Sequence, residues 1–136
     1  MPGAVELIDA LSEAGFLLAV GSSGPAENIA VSLAGLGRAE KFSSLVTGSD
    51  VTRGKPDPQV FQLAAQRLGL SAEFCAVIED AIHGVEAAHR AGMACIALTG
   101  TATREQLAAA DLVVESLCEL SPSIVGSLIN RKCGTG

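Results

Sequence analysis

Two short polar segments of the sequence could do chemistry, because each follows a run of apolar residues. Ser22 and Ser23 end one such run, and Glu79 and Asp80 end another. Small residues and serine hydroxyls between a strand and a helix leave N–H and O–H donors available to an anion. Two adjacent carboxylates repel each other unless a positive charge lies near, and Mg²⁺ is the usual partner of hard oxygen ligands. The segments therefore indicate an anion site and a metal site.

A lysine between these segments also indicates an anionic partner. Lys55 precedes Pro56 in the segment 54–58, and proline is favoured in the first turn of a helix. The helix dipole opposes a cation at that end by roughly a few tenths of a kcal/mol. Lys55 gains no local stability there, so we expect it to meet a negative group.

Each of these residues also has a simpler interpretation. Ser22 or Ser23 is a good N-cap for the helix that follows, and Asp80 is a good N-cap for the helix predicted at 81–91. Lys55 can be an ordinary solvated lysine of the surface. The serine turn matches neither the dinucleotide fingerprint nor the nucleotide phosphate loop, so we expect no nucleotide cofactor.

The elements that must position these residues alternate along the chain. Helical spacing of apolar residues predicts helices at 3–14, 25–36, 56–68, 81–91 and 104–109, and one from Ser121. Short apolar runs predict strands at 16–20, 45–47, 74–78, 94–98 and 112–114. This βαβ order predicts an α/β, Rossmann-like three-layer sandwich with a mostly parallel sheet. Ligands of such folds bind beyond the carboxyl ends of the strands, where the polar residues lie.

Composition excludes several classes of function. The formal net charge is −6 without a basic stripe, so we expect neither nucleic-acid binding nor docking on a membrane. Apolar runs of roughly five residues are far too short to span a bilayer. The four cysteines form no C-x-x-C pair, which indicates free thiols and a cytoplasmic location. We expect one domain over 1–130 and a disordered tail over 131–136.

The order of these segments resembles the haloacid dehalogenase (HAD) superfamily, and most of all its branch of β-phosphoglucomutase-like and phosphoglycolate-phosphatase-like proteins. Ser22 after a strand, the pair Lys55-Pro56, and the stretch EDAIHGVEAAHRAGM at 79–93 carry the resemblance. It runs from Pro2-Gly3, which is similar to the chain returning from the family's cap domain, to about Asp111.

The resemblance implies a Mg²⁺-dependent phosphatase or phosphomutase that acts on a small phosphorylated metabolite. Ser22 would donate a hydrogen bond to the transferring phosphoryl group, and the Ser23 amide would assist it. Lys55 would neutralise phosphoryl oxygens, and Asp80 with Glu79 would hold Mg²⁺. Such roles suit phosphoryl transfer, which depends mostly on positioning and charge stabilisation.

The family's first motif, D-x-D-G-[ST], is absent. The aspartates are Asp9, Asp50, Asp57, Asp80 and Asp111, and no two of them are separated by a single residue. The motif carries the nucleophile, so we expect a chain that is inactive alone; the alternative is a non-catalytic module that binds phosphate or Mg²⁺. A receiver-like domain is disfavoured because the first strand ends in serines. A truncated product, an expression fragment and a gene that lost its front are equally compatible with the sequence.

The missing motif has a structural consequence. In the family the first strand lies between the strands that carry the second and fourth motifs. Its removal leaves the runs 16–20 and 74–78 without their shared neighbour, and unpaired buried backbone groups are costly. We therefore expect these strands to pair directly, or a homodimer to form through the gap.

Overall fold

The computed structural model describes residues 2–22 and 26–133, and it alternates helices and strands as the sequence predicts. The helices are α1 (Ala4–Glu13), α2 (Ala26–Leu36), α3 (Gln59–Leu68), α4 (Ile82–Arg90) and α5 (Pro122–Cys133). The strands are β1 (Leu18–Gly21), β2 (Phe42–Val46), β3 (Ala76–Glu79), β4 (Ala94–Leu98) and β5 (Leu112–Val114). Helix α5 therefore includes residues 131–133, which the sequence analysis assigned to the tail.

Glycines end two of the helices at the predicted places. Gly69 follows α3 with φ of 73°, and its N–H donates to the carbonyl of Gln66. Gly92 follows α4 with φ of 81°. Glycine adopts this left-handed conformation without steric cost, so each helix stops where its sequence allows the chain to reverse.

The strands form two parallel sheets. Strand β1 pairs with β2, and the second sheet has the order β3-β4-β5. The fold is thus mixed α/β and Rossmann-like, as expected. The expected direct pairing of the first and third strands is wrong, because no ladder joins β1 to β3 among the described residues. Helix α3 packs on β1 and β2, while α5 packs on β3 and β4 and also contacts α1.

Strand β4 lies at the centre of the molecule, and all five of its residues are buried. Its side chains alternate between two hydrophobic clusters. Cys95 and Ala97 join the cluster formed with α3 and α4, whereas Ile96 and Leu98 join the cluster formed with α1 and α5. Helices therefore cover both faces of this sheet, which is typical of parallel sheets and explains the continuous apolar run.

The helix predicted at 104–109 does not form; the segment is a series of turns. The side chains of Thr103 and Gln106 each accept a hydrogen bond from the other's N–H, as at a helix start. Leu107 is completely buried and anchors the segment. Only Leu107 makes a backbone bond of the helical i to i−4 kind there. So short a segment does not repay the entropic cost of starting a helix.

Candidate functional site

The predicted site residues lie at the carboxyl ends of β1 and β3. Ser22 directly follows β1, and its N–H donates to the Val46 carbonyl at 2.9 Å, which extends the ladder with β2 by one residue. Glu79 is the last residue of β3, and Asp80 follows it. Gly21 and Glu79 line the same cavity between the two strands. Ser23 lies outside the described residues.

Lys55 is joined to the end of β3 by an ion pair. Its Nζ lies 2.8 Å from Oε2 of Glu79, and the two side chains are only 18% and 10% exposed. The same Nζ lies 5.0 Å from the centre of the Phe61 ring, on α3. The aromatic face and the carboxylate both favour a cation, so they hold the ammonium group at this edge of the sheet.

The local setting of Lys55 differs from the prediction. Helix α3 begins at Gln59 and not at Pro56, and the peptide bond between Lys55 and Pro56 is cis. Asp57 accepts a hydrogen bond from the Gln59 N–H at 3.0 Å, so the intervening residues form a turn. The helix dipole falls off within the first turn, so it does not oppose Lys55 as the sequence analysis assumed.

The Glu79 carboxylate is fully engaged by neighbouring donors. Its Oε2 accepts from Lys55, and its Oε1 accepts from the backbone N–H groups of Asp80 and Ala81, at 3.0 and 3.3 Å. One side chain thus connects the loop of Lys55 to the turn before α4. These bonds fix the position of the Glu79 carboxylate, and its predicted part in holding Mg²⁺ together with Asp80 stays a prediction.

Gly84 makes room for this arrangement. A Cβ atom at position 84 would overlap with Cγ, Cδ and Oε2 of Glu79. The side chain of Glu79 therefore passes directly over the helix backbone at Gly84. Glycine costs about 1 kcal/mol relative to alanine in a helix, and this cost was the signal in the sequence that a close approach occurs here.

Asp80 is free of the capping role that the simpler interpretation gave it. The N-cap residue of α4 is Ala81, and no side chain caps this helix. Instead, Oδ2 of Asp80 accepts a hydrogen bond from Oγ1 of Thr101 at 3.0 Å. Sequence reasoning did not identify Thr101, although its place shortly after β4, at the same edge of the sheet, was a usable signal.

The donor set fits Mg²⁺ only in part. Oδ1 of Asp80 has no hydrogen-bond partner within the described residues, so it can bind a cation. Among those residues no group of three or more His, Cys, Asp or Glu side chains is arranged to hold a metal ion. Mg²⁺ commonly takes one or two carboxylates and completes its shell with water and substrate phosphate. Asp80 suits that mode, and the described part of the chain does not by itself form a complete metal site.

Comparison with known proteins identifies the family of this chain. The family model of haloacid dehalogenase-like hydrolases matches residues 1–92. The chain belongs to the haloacid dehalogenase-like hydrolase family. The validoxylamine A 7'-phosphate phosphatase of Streptomyces hygroscopicus subsp. limoneus is 39% identical over 118 residues, which are 87% of this chain and 55% of that protein.

Solved structures of family members have the same fold. The β-phosphoglucomutase of Clostridium difficile matches 98% of this chain and 58% of its own, with 25% identity and a TM-score of 0.86. A hydrolase from Deinococcus radiodurans with bound phosphate and sodium matches 94% of this chain and 60% of its own, with 31% identity and a TM-score of 0.85. The chain thus spans little more than half the length of these relatives.

Proposed function

We propose that this chain is the core of a phosphatase or phosphomutase that acts on a small phosphorylated metabolite. The observation that carries the proposal is the ion pair of Lys55 with Glu79 at the end of β3, next to Asp80. A half-buried ammonium group beside a carboxylate with an available oxygen suits a phosphoryl group together with Mg²⁺. The relatives named above include a phosphatase and a phosphomutase, which supports the same reaction class.

Each residue has one task in the proposal. Lys55 neutralises phosphoryl oxygens, and Glu79 keeps its ammonium group in place. Asp80 holds Mg²⁺, which when bound neutralises the phosphoryl oxygens that face it. The Ser22 hydroxyl donates a hydrogen bond to the phosphoryl group, and the Ser23 amide assists it. Three described cysteines are free thiols, which supports the proposal of a cytoplasmic location.

Local charge makes phosphate binding dependent on Mg²⁺. Glu79 and Asp80 carry two negative charges and Lys55 carries one positive charge, so the edge is acidic until a cation binds. An anion therefore enters with a metal ion, and each should raise the affinity for the other by the same factor. We propose that the chain alone binds the two together without turnover, because it contains no D-x-D pair to supply a nucleophile and an acid.

Titration calorimetry tests the proposal. Phosphate is titrated into the chain with and without Mg²⁺, and we expect heat only when Mg²⁺ is present. Lys55→Met keeps the aliphatic length but removes the charge, and should abolish that heat. The matched control is Lys41→Met, because Lys41 directly precedes β2 and lies at the opposite edge of the sheet.

Two results would contradict the proposal. One is a loss of phosphate binding in the Lys41 variant equal to that in the Lys55 variant. The other is rapid hydrolysis of p-nitrophenyl phosphate that survives Lys55→Met, since it would place the chemistry elsewhere.

A further inference from the structure

A threonine in the loop after β4 contacts the carboxylate that is proposed to hold Mg²⁺. Oγ1 of Thr101 donates a hydrogen bond to Oδ2 of Asp80 at 3.0 Å, although the two residues are 21 positions apart. Within the described part of the chain, the Asp80 carboxylate makes no other hydrogen bond, so Oδ2 is engaged and Oδ1 is available. This hydroxyl therefore determines which carboxylate oxygen is offered to a cation.

The main chain of Asp80 is held separately from its side chain. Its N–H donates to Oε1 of Glu79 at 3.0 Å, and the Glu79 carboxylate also pairs with Lys55. These bonds fix where the Asp80 backbone lies, but they leave the rotation of its side chain about the Cα–Cβ bond free. Among the described residues, only Thr101 restrains that rotation by a hydrogen bond.

This restraint matters because the Asp80 carboxylate has competing partners nearby. The N-cap residue of α4 is Ala81, and no side chain caps the helix, so the N–H groups of its first turn lack a side-chain acceptor. Such N–H groups attract a carboxylate, and aspartate is among the residues that accept from them best. Without the bond to Thr101, we expect the Asp80 carboxylate to rotate toward the start of α4.

The loop that carries Thr101 is anchored on both sides. After β4, the N–H of Thr99 donates to the carbonyl of Val114, in β5, at 2.9 Å. Further along the loop, the N–H of Thr103 donates to Oε1 of Gln106 at 2.9 Å. The position of Thr101 is thus fixed from the sheet and from the turns that follow.

The turn just before Thr101 requires a glycine. Gly100 has φ of 132°, which is a backbone conformation that residues with a side chain rarely adopt. Its N–H donates to the carbonyl of Ala102 at 3.3 Å, so the chain bends sharply around Thr101. The Thr101 side chain is exposed and adds little to the packing of the core. Its place in the structure is therefore better explained by its bond to Asp80.

We propose that Thr101 is a positioning residue, whose hydroxyl holds the Asp80 carboxylate in the orientation that binds Mg²⁺. The inference rests on the proposed function, because it takes Asp80 as the residue that holds the metal ion. Hydrogen bonds from neighbouring side chains commonly orient the ligands of a metal ion, and their removal lowers metal affinity by about 10- to 100-fold. The bond of Thr101 is exposed to water, so we expect the lower end of that range.

Titration with Mg²⁺ alone tests the proposal, with the amide resonances of Asp80 and Ala81 in NMR spectra as the readout. Thr101→Val keeps the shape of the side chain but removes the hydroxyl, and should raise the dissociation constant for Mg²⁺ about 10-fold. Thr101→Ser retains a hydroxyl and should bind nearly as well as the native chain. The matched control is Thr103→Val, because the Thr103 hydroxyl lies in the same exposed loop but bonds the N–H of Gln106, and this variant should bind as the native chain does.

Two further measurements separate positioning from a structural role. In the metal-free chain, three-bond couplings between Hα and Hβ of Asp80 report its side-chain rotation. We expect one rotamer in the native chain and in Thr101→Ser, and a changed set of couplings in Thr101→Val. The urea midpoint should be the same in all three chains, since Thr101 is exposed. A residue that only supported the fold would lower the midpoint and leave the Asp80 couplings unchanged.

Three results would overturn the role of Thr101: native Mg²⁺ affinity in Thr101→Val, an equal loss of affinity in Thr103→Val, or no recovery in Thr101→Ser. Asp80→Asn distinguishes these failures from a failure of the proposed function. If Asp80→Asn abolishes Mg²⁺ binding while Thr101→Val leaves it intact, the metal site stands and only the role of Thr101 is wrong. If the native chain binds no Mg²⁺, or Asp80→Asn binds it equally well, the proposed metal site and the role of Thr101 are both wrong.

Discussion

Substitution of Gly84 by alanine tests the arrangement of the site most directly. In an ordinary helix this change is stabilising, because glycine costs about 1 kcal/mol relative to alanine. At position 84 the added methyl group would overlap with the Glu79 carboxylate. Glu79 must then move, and it releases Lys55 together with the backbone N–H groups of Asp80 and Ala81.

The expected magnitude follows from these bonds. A hydrogen bond to a charged group contributes about 1.5–3 kcal/mol, and the pair of Lys55 and Glu79 is mostly shielded from water, at 18% and 10% exposure. Loss of this bond and weakening of the two amide bonds outweigh the gain in helix propensity. We expect Gly84→Ala to lower the free energy of unfolding by about 2 kcal/mol.

Urea unfolding followed by far-ultraviolet circular dichroism measures the effect, since the chain has neither tryptophan nor tyrosine for fluorescence. The matched control is Gly126→Ala in α5. A Cβ there would lie 3.7 Å from Cζ of Phe16, which is ordinary van der Waals contact. The control should gain roughly 0.5–1 kcal/mol.

A double variant isolates the cause. When Glu79→Ala has already removed the obstructing side chain, the added methyl group at position 84 should stabilise the chain, as it does at Gly126. The coupling between the two substitutions is then about 3 kcal/mol, within the range for residues in contact. The reasoning is refuted if Gly84→Ala stabilises the native chain, or if its effect is the same with and without Glu79.

The remaining predictions concern a charged loop and the segment 104–109. The pKa of Asp50 lies below its usual 3.8 because the Thr47 N–H donates to it and Arg67 pairs with it. The ionised carboxylate therefore stabilises the fold above pH 3.8, and this contribution is lost as the pH falls through the lowered pKa. The difference in free energy of unfolding between the native chain and Asp50→Asn should therefore become smaller in acid. A difference that becomes larger would contradict this prediction. Leu107→Ala should cost about 2–5 kcal/mol in urea unfolding, because this side chain is fully buried, and a cost below 1 kcal/mol would show that its pocket collapses.

The sequence by itself determined the order of the elements and the edge at which the polar residues lie. Continuous apolar runs, helical spacing and glycines at helix ends are local signals. The sequence therefore predicted β4 and β5 at their observed bounds, and the ends of two helices at Gly69 and Gly92. Other bounds moved by a few residues because hydrogen bonding, and not hydropathy, decides where a strand or helix ends. The turns at 104–109 carried a helical pattern that was too short to form a helix.

Only the tertiary structure decided the separation of the sheets and the tasks of the two carboxylates. Strands β1 and β3 belong to separate sheets with different covering helices, α3 on β1 and α5 on β3, and no local pattern encodes this packing. Glu79 binds a lysine 24 positions away, and Asp80 binds a threonine 21 positions away. Hydrogen bonds between residues far apart in the chain depend on how the layers pack. The sequence therefore predicted the edge at which these carboxylates lie, whereas their hydrogen-bond partners follow only from the packed structure.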